Sequence, residues 1–174
     1  GQVGAMLAKS GTDVSLIARG PHLAAMKENG LTLITPEERF VVTPKCTDNP
    51  TELEKQDYIF VSLKAHSVVH ILNDLDPILG PDTVVVTAVN GIPWWYFFAF
   101  NGSLRNHQLR VIDPGGCQWK KIKPERVLGC VVWQAAEVIK PGVIRLNYSG
   151  RMPIGEPDGS RSERARILSD ALIT

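Results

Sequence analysis

The 174-residue sequence predicts an α/β fold built on a doubly wound parallel sheet, with an antiparallel hairpin extension. Three observations carry this. Short apolar, β-branched runs recur at 13–18, 58–63 and 83–89, the signature of strands buried on both faces. Stretches with helical spacing alternate with them, and that alternation calls for parallel strands joined by helical crossovers. A polar residue closes each run: Arg19, Lys64 and Asn90.

The chain is organised around residues 1–19. Gly1 to Gly11 reads as a short helix whose small residues, Gly1, Gly4, Ala5 and Ala8, let it lie close to a sheet. Gly11 stops it by taking the left-handed conformation that a helix end favours. Asp13 to Ala18 then reads as a buried parallel strand, closed by Arg19-Gly20. Helix, glycine stop, strand and terminal charge form the second half of a dinucleotide-binding βαβ unit, so the fold is read as Rossmann-like. The first half, a strand and a G-x-G-x-x-G turn, is missing ahead of Gly1. The expectation is a single domain over 1–174 that lacks its first strand. An acidic residue at the strand end would serve the ribose hydroxyls of NAD. The guanidinium of Arg19 suits a 2′-phosphate instead, which favours NADP(H), although a solvated arginine explains the residue alone equally well.

The remaining elements follow in order. Pro21 to Asn29 reads as a helix ended by Gly30. Leu31–Thr35 and Arg39–Thr43 flank Pro36-Glu37-Glu38 as a hairpin, expected to decorate the edge of the main sheet. Thr47 to Glu54 reads as a polar turn with one helical turn. Tyr58 to Leu63 is the second buried strand, Ser67 to Leu79 a helix broken by Gly80-Pro81, and Thr83 to Val89 the third strand. Ile92 to Arg110 is the least legible stretch. Its Trp94-Trp95-Tyr96-Phe97-Phe98 cluster reads first as core, with a pocket cover or a subunit contact as alternatives. Asp113-Pro114-Gly115-Gly116 is a turn and Val127 to Trp133 a strand. Ala136–Ile139 and Val143–Leu146 form an antiparallel hairpin about Lys140-Pro141-Gly142. Arg151 to Gly155 adds a strand, and Ser160 to Ile173 a helix.

Composition excludes several classes. No apolar run reaches the ~18 residues of a membrane span. Nineteen Lys and Arg against eighteen Asp and Glu leave a net charge of +1, and their scatter argues against a nucleic-acid or membrane surface. Cys46, Cys117 and Cys130 stand far apart without metal-ligand spacing, so no metal site is expected. Their sparse, odd number suits reduced cytoplasmic thiols, with Cys130 a buried one.

In an open parallel sheet, ligands bind at the carboxyl ends of the strands. Lys64 can reach cofactor phosphates, ribose or a substrate carboxylate, and the amide of Asn90 can hydrogen-bond a carboxamide or a substrate hydroxyl in both directions. Each alone is explained as a solvated loop residue; three convergent strand ends favour a site. His66 reads foremost as a capping or surface residue, and Glu156 and Asp158 as solvated turn acids.

The run from Gly1 to Gly20, with His22-Leu23, Asn29-Gly30-Leu31, Leu63-Lys64-Ala65-His66, Asn90-Gly91-Ile92-Pro93, Pro141-Gly142-Val143-Ile144-Arg145 and Gly150 to Glu156, resembles the ketopantoate reductases. The resemblance implies NADPH-dependent reduction of 2-dehydropantoate, a small 2-oxo acid, to pantoate. It places Arg19 at the 2′-phosphate, and Lys64 and Asn90 at cofactor- and substrate-side positions. Ala135 falls at a backbone contact to the cofactor, and Gly1 just after the third fingerprint glycine, on the cofactor side. The family's catalytic lysine belongs to a helical C-terminal domain expected beyond Thr174, so no catalytic residue is assigned in this chain, and little activity is expected of it alone. A homodimer through that domain is a further implied partner. Two other readings stand beside this one: an NADP-dependent reductase of another 2-oxo acid or imine, and a non-catalytic NADP-binding module.

Overall fold

The computed structural model describes residues 1–173. Their contacts divide the chain into two units. The first comprises Gly1–Leu53, Trp133–Arg151 and the last residues from Asp170; the second comprises Glu54–Val132 and Met152–Ser169.

The first unit opens with α1, Gln2–Lys9, ended by Ser10 and by Gly11 at φ +89. Thr12 N–H reaches back to the Leu7 carbonyl at 3.0 Å, closing the helix as a glycine stop should. The small residues of α1 do what the sequence requires of them. A Cβ on Gly4 would stand 2.5 Å from Leu16 Cδ2, and Ala5 is fully buried. Leu16 lies on β1, Ser15–Ile17, which is shorter than expected and only partly buried. Its parallel partner is β4, Lys45–Thr47, with Leu16 opposite Cys46. Helix α2, Gly20–Asn29, buries Leu23 and Met26.

The hairpin of β2, Leu31–Ile34, and β3, Arg39–Val42, is antiparallel as expected, but it does not edge the main sheet. It pairs instead with the late hairpin of β8, Ala135–Lys140, and β9, Val143–Tyr148, giving a four-stranded sheet ordered β3-β2-β9-β8. The β2–β9 junction is parallel, with Leu33 opposite Ile144. Leu31, Leu33 and Ile144 form the core there with Ala5, Leu23 and Met26. That shared apolar face explains why two hairpins far apart in sequence join.

The second unit holds the longer parallel sheet: β5, Gln56–Val61; β6, Leu79–Ala88; β7, Val127–Cys130; and antiparallel β10, Ile154–Gly155, ordered β10-β7-β6-β5. The helix expected over 67–79 is instead α3, Ala65–Val68, followed by 3₁₀ turns at Val69–Ile71 and Asn73–Leu75. β-Branched Val68, Val69 and Ile71, then Asn73, Asp74 and Pro77, are poor helix formers, while buried Val68, Leu72, Leu75 and Ile78 still supply an apolar face. Helix α4, Cys117–Ile122, was not evident from the sequence. It starts where buried Asp113 accepts the N–H groups of Gln118 and Trp119 at 2.9 and 3.0 Å. Helix α5 spans Glu163–Ile173.

The aromatic cluster is core at Trp94, while Trp95, Phe97 and Phe98 are half-buried. Trp94 is buried edge-on to Trp119, with centroids 6.0 Å apart. Trp95 donates from Nε1 to Thr87 Oγ1 at 3.1 Å and covers Gly129, whereas Tyr96 and Phe100 remain exposed. Cys130 is buried, and its desolvation pushes the thiol up to about 11.

Candidate functional site

The residues singled out from the sequence fall in both units. In the first, Arg19 stands just past β1 as the N-cap of α2, with extended backbone and an exposed side chain. Gly1 precedes α1, and Ala135 opens β8, an edge strand exposed along its whole length. In the second, Lys64 and Asn90 follow the carboxyl ends of β5 and β6, which are neighbouring parallel strands with Val61 opposite Thr87. Lys64 is exposed at the N-cap of α3 and makes no side-chain hydrogen bond or ion pair among the described residues.

Asn90 is engaged in a way its position alone did not disclose. Its Oδ1 accepts the Val132 N–H at 3.0 Å, and its Nδ2 donates to the Val132 carbonyl at 2.9 Å. β6 and β7 pair up to Ala88 opposite Cys130. The side chain thus adds one more rung past the end of the backbone ladder. One N–H and one lone pair of the amide remain for a ligand.

Two further features escaped the sequence reading. Gln134, next to Ala135, donates from Nε2 to the Gly150 carbonyl at 3.1 Å. Its Oε1 is buried without a hydrogen-bond partner among the described residues, an acceptor that a water or ligand donor would satisfy. Glu156 is not a solvated turn acid. Its carboxylate, 7% exposed, takes Nε of Arg164 at 2.7 Å, Nη2 at 2.5 Å and the Ser162 hydroxyl at 2.5 Å. Burial pushes this carboxyl up, but the bonds from Arg164 and Ser162 outweigh it and leave it below the usual range. No sequence signal pairs 156 with 164; the turn and helix must fold first. Asp158 is exposed, as expected.

A trough of about 540 Å³ in the first unit is lined by Lys9, Asp13, Phe40, Thr43 and Lys45 among others. It lies at the amino ends of β1 and β4, the end away from Arg19, so it is not the ligand crevice that parallel strands form at their carboxyl ends. His66 is exposed on α3. Among the described residues no group of three or more His, Cys, Asp or Glu could hold a metal ion.

The family model for ketopantoate reductase PanE/ApbA matches residues 1–159. The chain belongs to the ketopantoate reductase family. Within that family it is 44% identical over 174 residues to a 2-dehydropantoate 2-reductase of Mesorhizobium japonicum, covering 99% of this chain and 53% of the relative. A crystal structure from Ralstonia solanacearum MolK2, classed with the ketopantoate reductases, superposes with a TM-score of 0.91 at 33% identity, covering 98% of this chain and 53% of that one. The fold alone is shared with D-mandelate dehydrogenase in a ternary structure with NADH and anilino(oxo)acetate, at TM-score 0.76 and 21% identity, over 99% of this chain and 50% of that one. The chain of this family member spans about half the length of the curated relatives it matches.

Proposed function

We propose that this chain is the NADPH-binding part of a cytoplasmic 2-dehydropantoate 2-reductase. Family membership and the 44% identity to a protein of that name support the reading. The observation that carries it is the chemistry at the strand ends. Arg19 and Lys64 are exposed cations just past the carboxyl ends of parallel strands, and neither end carries an acid where NAD would want one.

A phosphorylated nicotinamide cofactor fits these residues, and when bound it would supply a hydride for the keto carbon. Arg19 would pair with the 2′-phosphate through charge-assisted hydrogen bonds. Lys64 would hold anionic oxygens of cofactor or substrate. Asn90, already fixed by Val132, would offer its remaining N–H and lone pair to a carboxamide or a substrate hydroxyl. Ala135 would contribute backbone groups, and Gly1 would lie at the margin of the phosphate turn. The proton for the product hydroxyl would come from a lysine outside this chain, so the chain alone binds cofactor and turns over little substrate.

Arg19→Asp tests the cofactor assignment by fluorescence titration. A hydrogen bond to a charged group is worth roughly 1.5–3 kcal/mol, so NADPH affinity should fall at least ~10-fold while NADH affinity changes by about twofold or less. Equal losses for both would refute the role of Arg19. The fold is shared with an enzyme named for mandelate, a different 2-hydroxy acid, so fold does not choose the substrate. Steady-state rates of the full-length enzyme on a panel of 2-oxo acids do, and a preference for another member would replace 2-dehydropantoate.

A further inference from the structure

His22, on the first turn of α2, is bound to the turn between β8 and β9. The Gly142 N–H donates to His22 Nδ1 at 3.1 Å. On its other side the Gly142 carbonyl accepts the Thr32 N–H of β2 at 2.9 Å. Gly142 is buried at φ +74, and a Cβ there would stand 3.1 Å from that of Ala25 on α2. The turn is therefore gripped by a side chain, a strand and a close helix face, all within the first unit.

The geometry dictates the state of the ring. Nδ1 can accept only while it carries no proton, so the imidazole must be neutral with its hydrogen on Nε2. A charged ring would set two donors against each other and leave the buried Gly142 N–H without an acceptor. The surroundings agree. Desolvation holds His22 below its ordinary range.

We propose that His22 is a proton-sensitive positioning residue, whose neutral ring locks the β8–β9 turn to α2 and thereby couples the hairpin that begins at Ala135 to the helix capped by Arg19. The coupling to cofactor rests on the NADPH reading above; the lock itself does not. Because the folded value is depressed, the lock is complete above the unfolded histidine's range and is lost as pH falls through the folded one.

Two measurements between pH 5 and 8 test this on the wild-type chain, His22→Asn and His22→Leu. The first is hydrogen exchange of the Gly142 amide, corrected for its intrinsic pH dependence. Wild type should lose at least ~10-fold of its protection on acidification. Asn, whose Oδ1 replaces Nδ1 as an acceptor without titrating, should keep protection flat, and Leu should lack it throughout. The second is the NADPH Kd. The 2′-phosphate itself titrates near pH 6, so His22→Asn gives the baseline, and wild type should weaken at least ~3-fold more than it by pH 5.5. Leu protection equal to wild type, or a wild-type exchange profile identical to Asn, overturns the lock. A normal exchange result with matching NADPH profiles overturns the coupling. Failure of all three proteins to bind NADPH overturns the cofactor reading and leaves the exchange result to decide the lock.

Discussion

Replacing Arg164 by Met keeps the apolar stem and removes the guanidinium. In the folded chain that group makes a two-pronged bond to Glu156, 2.7 and 2.5 Å, and also reaches the carbonyls of Glu125 at 3.0 Å and Val127 at 3.4 Å. The variant strands a carboxylate that is 7% exposed, with the Ser162 hydroxyl as its remaining partner. Removing one member of a buried pair costs about 3–5 kcal/mol. The Arg164 side chain is 30% exposed, so water softens the loss, and about 2–3 kcal/mol is expected in urea unfolding at pH 7. Glu156→Gln keeps an acceptor and should cost about 1–2 kcal/mol. The double variant removes the stranded charge, so the two losses should fall short of additive by at least ~1 kcal/mol. The pH dependence has a fixed sign. The Glu156 carboxyl is held below its usual range. Its contribution is therefore present above the unfolded value of about 4.3 and lost as pH falls through the folded one. The gap between wild type and Arg164→Met should close in that window. A variant within about 0.5 kcal/mol of wild type at pH 7, or additive losses, would refute the account of this pair.

Asn90→Ala removes both bonds to Val132; at an exposed site this should cost about 1–2 kcal/mol in urea unfolding, and an unchanged midpoint would show that the rung past the strand ends carries no load. In Gly150→Ala the new Cβ would stand 1.8 Å from the Trp133 carbonyl oxygen. The backbones must part, and a loss of about 2–3 kcal/mol should lower Tm by roughly 4–10 °C; a Tm within about 1 °C of wild type would deny that close approach.

What was legible in the sequence was local. The small face of α1 could be read because Gly4 and Ala5 have one plausible use, and the contact of Gly4 with Leu16 is that use. Pro36-Glu37-Glu38 announced its hairpin through turn chemistry. That Arg19, Lys64 and Asn90 each follow a strand could be read from the sequence; that β1 pairs with β4 in a sheet separate from that of β5 and β6 could not. Illegible features depend on partners distant in the chain. Lys45–Thr47 is too short and mixed to signal a strand, and it is one only because β1 lies beside it. The joining of the two hairpins rests on a shared apolar face spanning more than a hundred residues. At 67–79 the apolar spacing was real, but the spacing of a buried face does not distinguish an α-helix from successive 3₁₀ turns.

In the second unit the strand register sets where Lys64 and Asn90 stand along the chain. Successive strand residues face opposite ways, so a one-residue slip of β6 would turn Thr87 away from Trp95 and from the Leu128 carbonyl, which it now meets at 3.1 and 3.3 Å. Trp95 also fills the space that Gly129 leaves on β7; a Cβ there would stand 2.7 Å from the indole. The same register that seats this buried contact puts Asn90 opposite Val132 and leaves Lys64 just past the neighbouring strand. The polar ends of β5 and β6 are thus placed by hydrogen bonds and packing a few residues away. This explains how a surface of exposed, individually unremarkable side chains can be preorganised: the ordering cost is met in the core during folding, before any ligand arrives.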